Sequence, residues 1–65
     1  MMKGVYCHKN TARLYEILDD DVLNKDNEER MVLYCERGNP TKWYVRNMDH
    51  FKKKFLFVPL TIEAK

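Results

Sequence analysis

The sequence predicts a mostly β domain, a small SH3-like barrel of about five short strands with one short helical turn near residues 47–51. Three observations carry that prediction. The chain has 65 residues, enough for one domain. Its apolar residues fall in short runs rich in β-branched and aromatic side chains, at roughly even spacing. A domain of about 60 residues buries only about 60% of the surface its unfolded chain exposes, so closure, which removes exposed strand edges, is attractive.

The core is read as residues 3–58. Lys3–His8 reads as the first strand, entered at Gly4, and the polar Lys9-Asn10-Thr11 as a turn. Arg13–Leu18 fits two templates. Leu14, Ile17 and Leu18 suit a helical turn, while Tyr15 and Ile17 suit one face of a strand. So short a helix is marginal alone, and Asp19-Asp20-Asp21 continues neither element well. The segment is read as a strand followed by a charged loop through Asn27. Glu29–Glu36 is the clearest strand. Its run Met31-Val32-Leu33-Tyr34-Cys35 is apolar throughout and bounded by charge, as expected of a central strand covered on both faces.

Arg37-Gly38-Asn39-Pro40 has the composition of a turn. Lys42–Arg46 then returns as the second arm of a hairpin, with Trp43 and Val45 on one face and Tyr44 and Arg46 on the other. Asn47 is placed to cap a helical turn carrying Met48 and Phe51, three residues apart on one side. Phe55–Val58 is the last strand. Pro59 ends it or marks an edge. Leu60–Ile62 is read as an extension and Glu63–Lys65 as a frayed end.

The net charge of +2, from 12 basic and 10 acidic residues, is too small to imply nucleic acid by itself. Its distribution is more informative. From Glu16 to Glu29 stand Glu16, Asp19, Asp20, Asp21, Asp26, Glu28 and Glu29 against one base, Lys25, and from Arg37 to Lys54 stand Arg37, Lys42, Arg46, Lys52, Lys53 and Lys54 against one acid, Asp49. Such segregation serves solubility and local pairing, and it can also steer an encounter. The chain has no secretory leader pattern and no apolar run near the ~20 residues of a membrane helix. Cys7 and Cys35 have the spacing of neither a redox pair nor a zinc ribbon. A cytoplasmic location, reduced thiols and no membrane contact are the expectation.

The order of elements and several residues resemble domain-of-unknown-function family 1653, a bacterial family of short proteins. The matching pieces are Gly4-Val5-Tyr6-Cys7-His8-Lys9, Tyr15-Glu16-Ile17-Leu18, Met31-Val32-Leu33-Tyr34 and Trp43-Tyr44-Val45-Arg46, followed by Met48 and Phe51. Together they span Gly4 to Val58. The chain departs from the family at Tyr44, inserted between Trp43 and Val45, and at Asn47, where the family has Pro. A divergent member, encoded by a bacterium or a phage, fits that pattern. The resemblance implies a small β-barrel and no assigned activity.

Cys7, His8, Cys35 and His50 are zinc-ligand types, but adjacent Cys7 and His8 point to opposite faces of a strand, which makes joint ligation awkward. The two cysteines read more simply as small buried apolar residues. The chain has no Ser, and no nucleophile has an evident activating neighbour. No enzyme, cofactor or metal is therefore expected.

Tyr6, His8, Lys42, Tyr44 and Arg46 form the candidate binding group, because strand aromatics beside bases stack on nucleobases or pack against peptides. The competing structural reading puts Tyr6, Trp43 and Val45 in the core and pairs Arg46 with a carboxylate of the acidic loop. Lys52, Lys53 and Lys54 are candidates for backbone phosphate. A solvated basic loop that keeps Phe55–Val58 soluble explains them as well. These features point to a non-enzymatic binding module whose partner is a protein. A nucleic-acid-binding barrel and a phage-type inhibitor or sponge of a host protein or signalling nucleotide are the alternatives. A homodimer paired through Leu60–Ile62 is a further option.

Overall fold

The computed structural model describes residues 1–59 and shows a five-stranded antiparallel sheet with one short helix. In chain order the elements are β1 (Val5–His8), β2 (Leu14–Asn24), β3 (Glu29–Glu36), β4 (Asn39–Asn47), α1 (Met48–Lys54) and β5 (Phe55–Val58). The strands lie in the order β4-β3-β2-β1-β5. The first four form a meander, and β5 returns after the helix to pair with β1 on its far side.

The expected closure does not occur. β4 and β5 are the two edges of the sheet, and among the described residues no ladder joins them. α1 sits between them in sequence and packs on the same face, so its buried Phe51 covers core that a closed barrel would cover with strands. The readings of Leu60–Ile62 and Glu63–Lys65 lie outside the described residues.

Two element boundaries also differ from expectation. β2 runs through the acidic segment to Asn24 instead of ending at Leu18. Register shifts between Ile17 and Asp19 and between Asp19 and Val22 accommodate two extra residues opposite β3: Leu18 in the first, and one of Asp20 and Asp21, which together face Val32, in the second. The Asp19 side chain accepts from the Asp21 N–H at 2.8 Å, which satisfies one donor that the irregular ladder frees. β4 starts at Asn39, so Asn39 and Pro40 belong to the strand and the hairpin turn is only Arg37-Gly38, with Glu36 opposite Asn39. Gly38 supplies the φ of +86° that the tight turn needs.

The helix is longer than one turn because its ends are well matched. The Asn47 side chain accepts from the N–H groups of Asp49 and His50 at 2.8 and 3.3 Å. Asp49 lies in the first turn and Lys52, Lys53 and Lys54 in the last, each favourable to the helix dipole. The three lysines thus end a helix and do not form a loop.

The core occupies one face of the sheet. It consists of Tyr6, Ile17, Val32, Tyr34, Phe51 and Phe55, with Tyr15 and Met48 packed against it. Val32, Phe51 and Cys35 are the most deeply buried. β3 is flanked by strands on both sides: Val32 and Tyr34 are buried on the core face, and on the other face Cys35 is buried while Met31 and Leu33 are half-buried.

Candidate functional site

The inner face is aromatic by construction. Strand register places Tyr44 opposite Tyr34, Tyr15 opposite Tyr6, and His8 opposite Phe55. All of these side chains point to the core side, where period-two alternation stacks them into rows. Tyr34 contacts Phe51, Phe55, Tyr15 and Tyr44, with ring centroids 5.1 to 5.6 Å apart. At the open end of these rows lies a pocket of about 220 Å³ lined by His8, Thr11, Tyr15, Tyr34, Tyr44, Arg46 and Phe55.

Arg46 is the cation of this pocket. Its guanidinium stands 5.8 Å from the centroid of the Phe55 ring, and its Nε–H donates to the Tyr34 hydroxyl at 3.2 Å. Among the described residues it has no ion-pair partner. The expected carboxylate from the acidic segment is absent because that segment is strand and hairpin, and its Asp21 faces Arg30 instead. His8 contributes an imidazole packed edge-on to Phe55 at 4.9 Å. Its Nδ1 accepts from the Asn10 N–H at 3.2 Å, so in the neutral ring the proton sits on Nε2. Burial, and then the nearby Glu36 carboxylate, push the Tyr15 hydroxyl above its ordinary pKa, so it remains a neutral donor.

The structure brings together His8, Tyr44 and Arg46 from the predicted group. Tyr6 belongs to the core: it is buried, stacks edge-on against Phe51 and Phe57, and donates its hydroxyl to the Met2 carbonyl at 2.6 Å. Lys42 is exposed and outside the pocket, two residues before Tyr44 in the irregular start of β4. Lys52, Lys53 and Lys54 line no part of it either. Trp43 and Val45, expected in the core, are 62% and 54% exposed. Register explains the inversion. Val32 and Tyr34 of β3 face inward, and they pair with Arg46 and Tyr44, which carries those two residues of β4 inward with them.

Thr11, Tyr15, Tyr34 and Phe55 were missing from the sequence-derived group. Tyr15 and Tyr34 were legible as strand aromatics, but only the pairing of β2, β3 and β4 shows that they share a wall with Tyr44. Cys7 and His8 do point to opposite faces, Cys7 lying opposite Leu14 and Leu56 on the outer side. Both thiols are free, Cys35 buried and Cys7 half-buried. Among the described residues no three His, Cys, Asp or Glu side chains converge on one point. No helix of the described residues is long and apolar enough to cross a membrane.

The lining therefore offers ring faces, hydroxyl donors, an imidazole and one guanidinium without an ion-pair partner among the described residues, with no carboxylate and no thiol. Such a surface suits an anionic or planar group. Comparison with known proteins finds no matching family model, no similar curated protein and no similar solved structure.

Proposed function

We propose that this chain is a non-enzymatic binding module that docks a partner protein through the aromatic pocket around Tyr44 and Arg46. The observation that carries the reading is Arg46 itself, a guanidinium in an aromatic-walled pocket without a carboxylate partner among the described residues. A partly desolvated arginine of this kind is a common anchor of protein interfaces, and tyrosines beside it supply contact area at low entropic cost. His8 and Thr11 of the lining each bond a neighbouring backbone N–H and not one another, which favours binding over chemistry. The meander followed by a short helix and a strand returning to β1 is in keeping with an opened relative of the SH3-like barrel. Divergent membership of domain-of-unknown-function family 1653 belongs to the same proposal and adds no activity to it.

The test is retention of a specific protein from cells of the source organism on the immobilised full chain. Tyr44→Ala and Arg46→Ala should each reduce that retention at least about tenfold, a loss of about 1.4 kcal/mol. Lys53→Ala, away from the pocket, should leave it unchanged. Equal retention by all variants, with native circular dichroism, overturns the reading.

A nucleotide ligand is the second reading, because the same rings and guanidinium suit a base and a phosphate. Saturating nucleotide at about 100 times its dissociation constant would stabilise the fold by about 2.7 kcal/mol. A melting screen with no shift for any nucleotide removes it.

A further inference from the structure

The outer edge of β4 has no neighbouring strand among the described residues. An unpaired edge presents a row of N–H and C=O groups that templates another strand. β4 is nine residues long, and its ladder with β3 runs without a shift from Trp43 to Asn47; Pro40, Thr41 and Lys42 lie in the irregularity that precedes it. Its side chains alternate in chemistry as well as in direction. Tyr44 and Arg46 share the inner face, and Lys42, just N-terminal of the regular ladder, adds a second cation to this edge. Trp43 and Val45 share the outer face and are largely exposed. The Trp43 indole N–H already donates to the Pro40 carbonyl at 2.6 Å, so its ring is free to pack against an apolar neighbour without stranding a donor.

We propose that this edge takes an extended segment of the partner protein as a sixth strand, and that the segment alternates acidic with apolar residues. Its carboxylates face Lys42 and Arg46, and its apolar side chains face Trp43 and Val45. The proposal rests on the protein-docking reading above and names the chemistry of the partner. Charge complementarity selects this occupant. Neither Lys42 nor Arg46 is ion-paired among the described residues. β4 contains no Asp or Glu. Two copies of the chain joined along it would therefore bring four cations to one seam with no anion between them, and cross-strand pairing disfavours the registers that set them opposite one another. A nucleic acid has no peptide groups to continue the ladder. An added peptide strand gains affinity from the main chain and specificity from alternate side chains.

The experiment uses the full chain and a synthetic, end-capped peptide of about ten residues alternating Glu with Val or Ile. Saturable binding is expected, with protection of the Thr41–Arg46 amides from hydrogen exchange. The same peptide with Gln for Glu should bind at least about tenfold more weakly. So should a peptide N-methylated at alternate residues, which keeps the side chains and removes strand pairing. The double variant Lys42→Glu and Arg46→Glu should reverse the preference to a Lys-containing peptide. No saturable binding, equal binding of the N-methylated peptide, or a dimer by light scattering that the peptide does not dissociate overturns the proposal. If Tyr44→Ala abolishes capture of a partner while the Glu peptide neither binds nor competes, the docking reading stands and the added strand is overturned.

Discussion

Phe51 of the helix and Phe55 of β5 stack face to face, with ring centroids 4.1 Å apart and planes inclined by only 5°. The pair joins the helix to the last strand, and Tyr34 closes on both rings from β3. Phe51 is fully buried. Phe51→Ala should therefore cost about 3–5 kcal/mol, a large share of the stability of so small a domain. Phe51→Leu should cost distinctly less, because it leaves a smaller cavity. Urea unfolding followed by tyrosine circular dichroism measures both. A loss below about 1 kcal/mol for the alanine variant would show that the helix is not part of the cooperative core.

Asn47 holds two roles. Its Oδ1 caps the helix, and its Nδ2 donates to Glu29 Oε1 at 2.7 Å, tying the cap to the start of β3. Asn47→Ala should lower stability by about 1 kcal/mol. Asn47→Asp keeps the cap but sets a carboxylate against Glu29, so its loss should be recovered in part by Glu29→Gln. Urea midpoints for the single and double variants form the cycle that checks this.

Alkaline pH should destabilise the fold. Burial raises the Cys35 thiol above its ordinary value of 9.0, and Glu16 raises it further. Burial, with a smaller contribution from Asp20, likewise raises Tyr6 above 10.0. Tyr15 is raised by burial first and by Glu36 second. In each case the folded state holds its proton more tightly than the unfolded state. Their stabilisation is complete below the ordinary values and is lost as pH climbs through the raised ones. The melting temperature should hold between about pH 7 and 8 and fall from about pH 9 upward, and Cys35→Ala should flatten the earliest part of the fall. A melting temperature that rises over that interval contradicts the assignment.

The two glycines should respond differently to alanine. A Cβ at Gly4, where φ is +137°, would lie 3.2 Å from Phe57 Cε1, and that ring packs on Tyr6. A Cβ at Gly38, where φ is +86°, meets nothing within 4 Å. Gly38→Ala should cost about 1 kcal/mol, the backbone strain alone. Gly4→Ala should cost more, because Phe57 must also shift. Equal losses in urea midpoint would remove the steric part of this account.

Thiol labelling offers an independent check of the packing. Half-buried Cys7 should react with a neutral-pH disulfide reagent well before buried Cys35. Cys35 should become reactive only at the rate of global opening, so Phe51→Leu should accelerate Cys35 and leave Cys7 nearly unchanged.

Much of the local structure was legible. Met31–Cys35 announced β3, Phe55–Val58 announced β5, and Asn47 announced the cap, because each rests on local pattern or local hydrogen bonding. The acidic extension of β2 was not legible. Asp19-Asp20-Asp21 is a poor strand former by propensity, and only pairing with β3 through two register shifts holds it extended. The Lys52–Lys54 run looked like a loop for the complementary reason: its helix is too short to stand without Phe51 in the core.

The candidate site divides the same way. Residue chemistry alone singled out Tyr44, Arg46 and His8, and alternation separated the two faces of β4. Alternation does not say which face turns inward. Trp43 and Val45 are the more apolar pair and were expected inside. Register decided otherwise, because β3 buries Val32 and Tyr34 and pairs them with Arg46 and Tyr44. By itself, then, the sequence determined the strands, the cap and the residue types available for binding, all of which depend on neighbours in the chain. The tertiary structure decided that the sheet of the described residues stays open, that Arg46 lies among aromatic rings without an ion-pair partner from them, and that Trp43 faces solvent. Those outcomes depend on which strands meet and in what register, and cross-strand partners far apart in sequence leave no mark on local pattern.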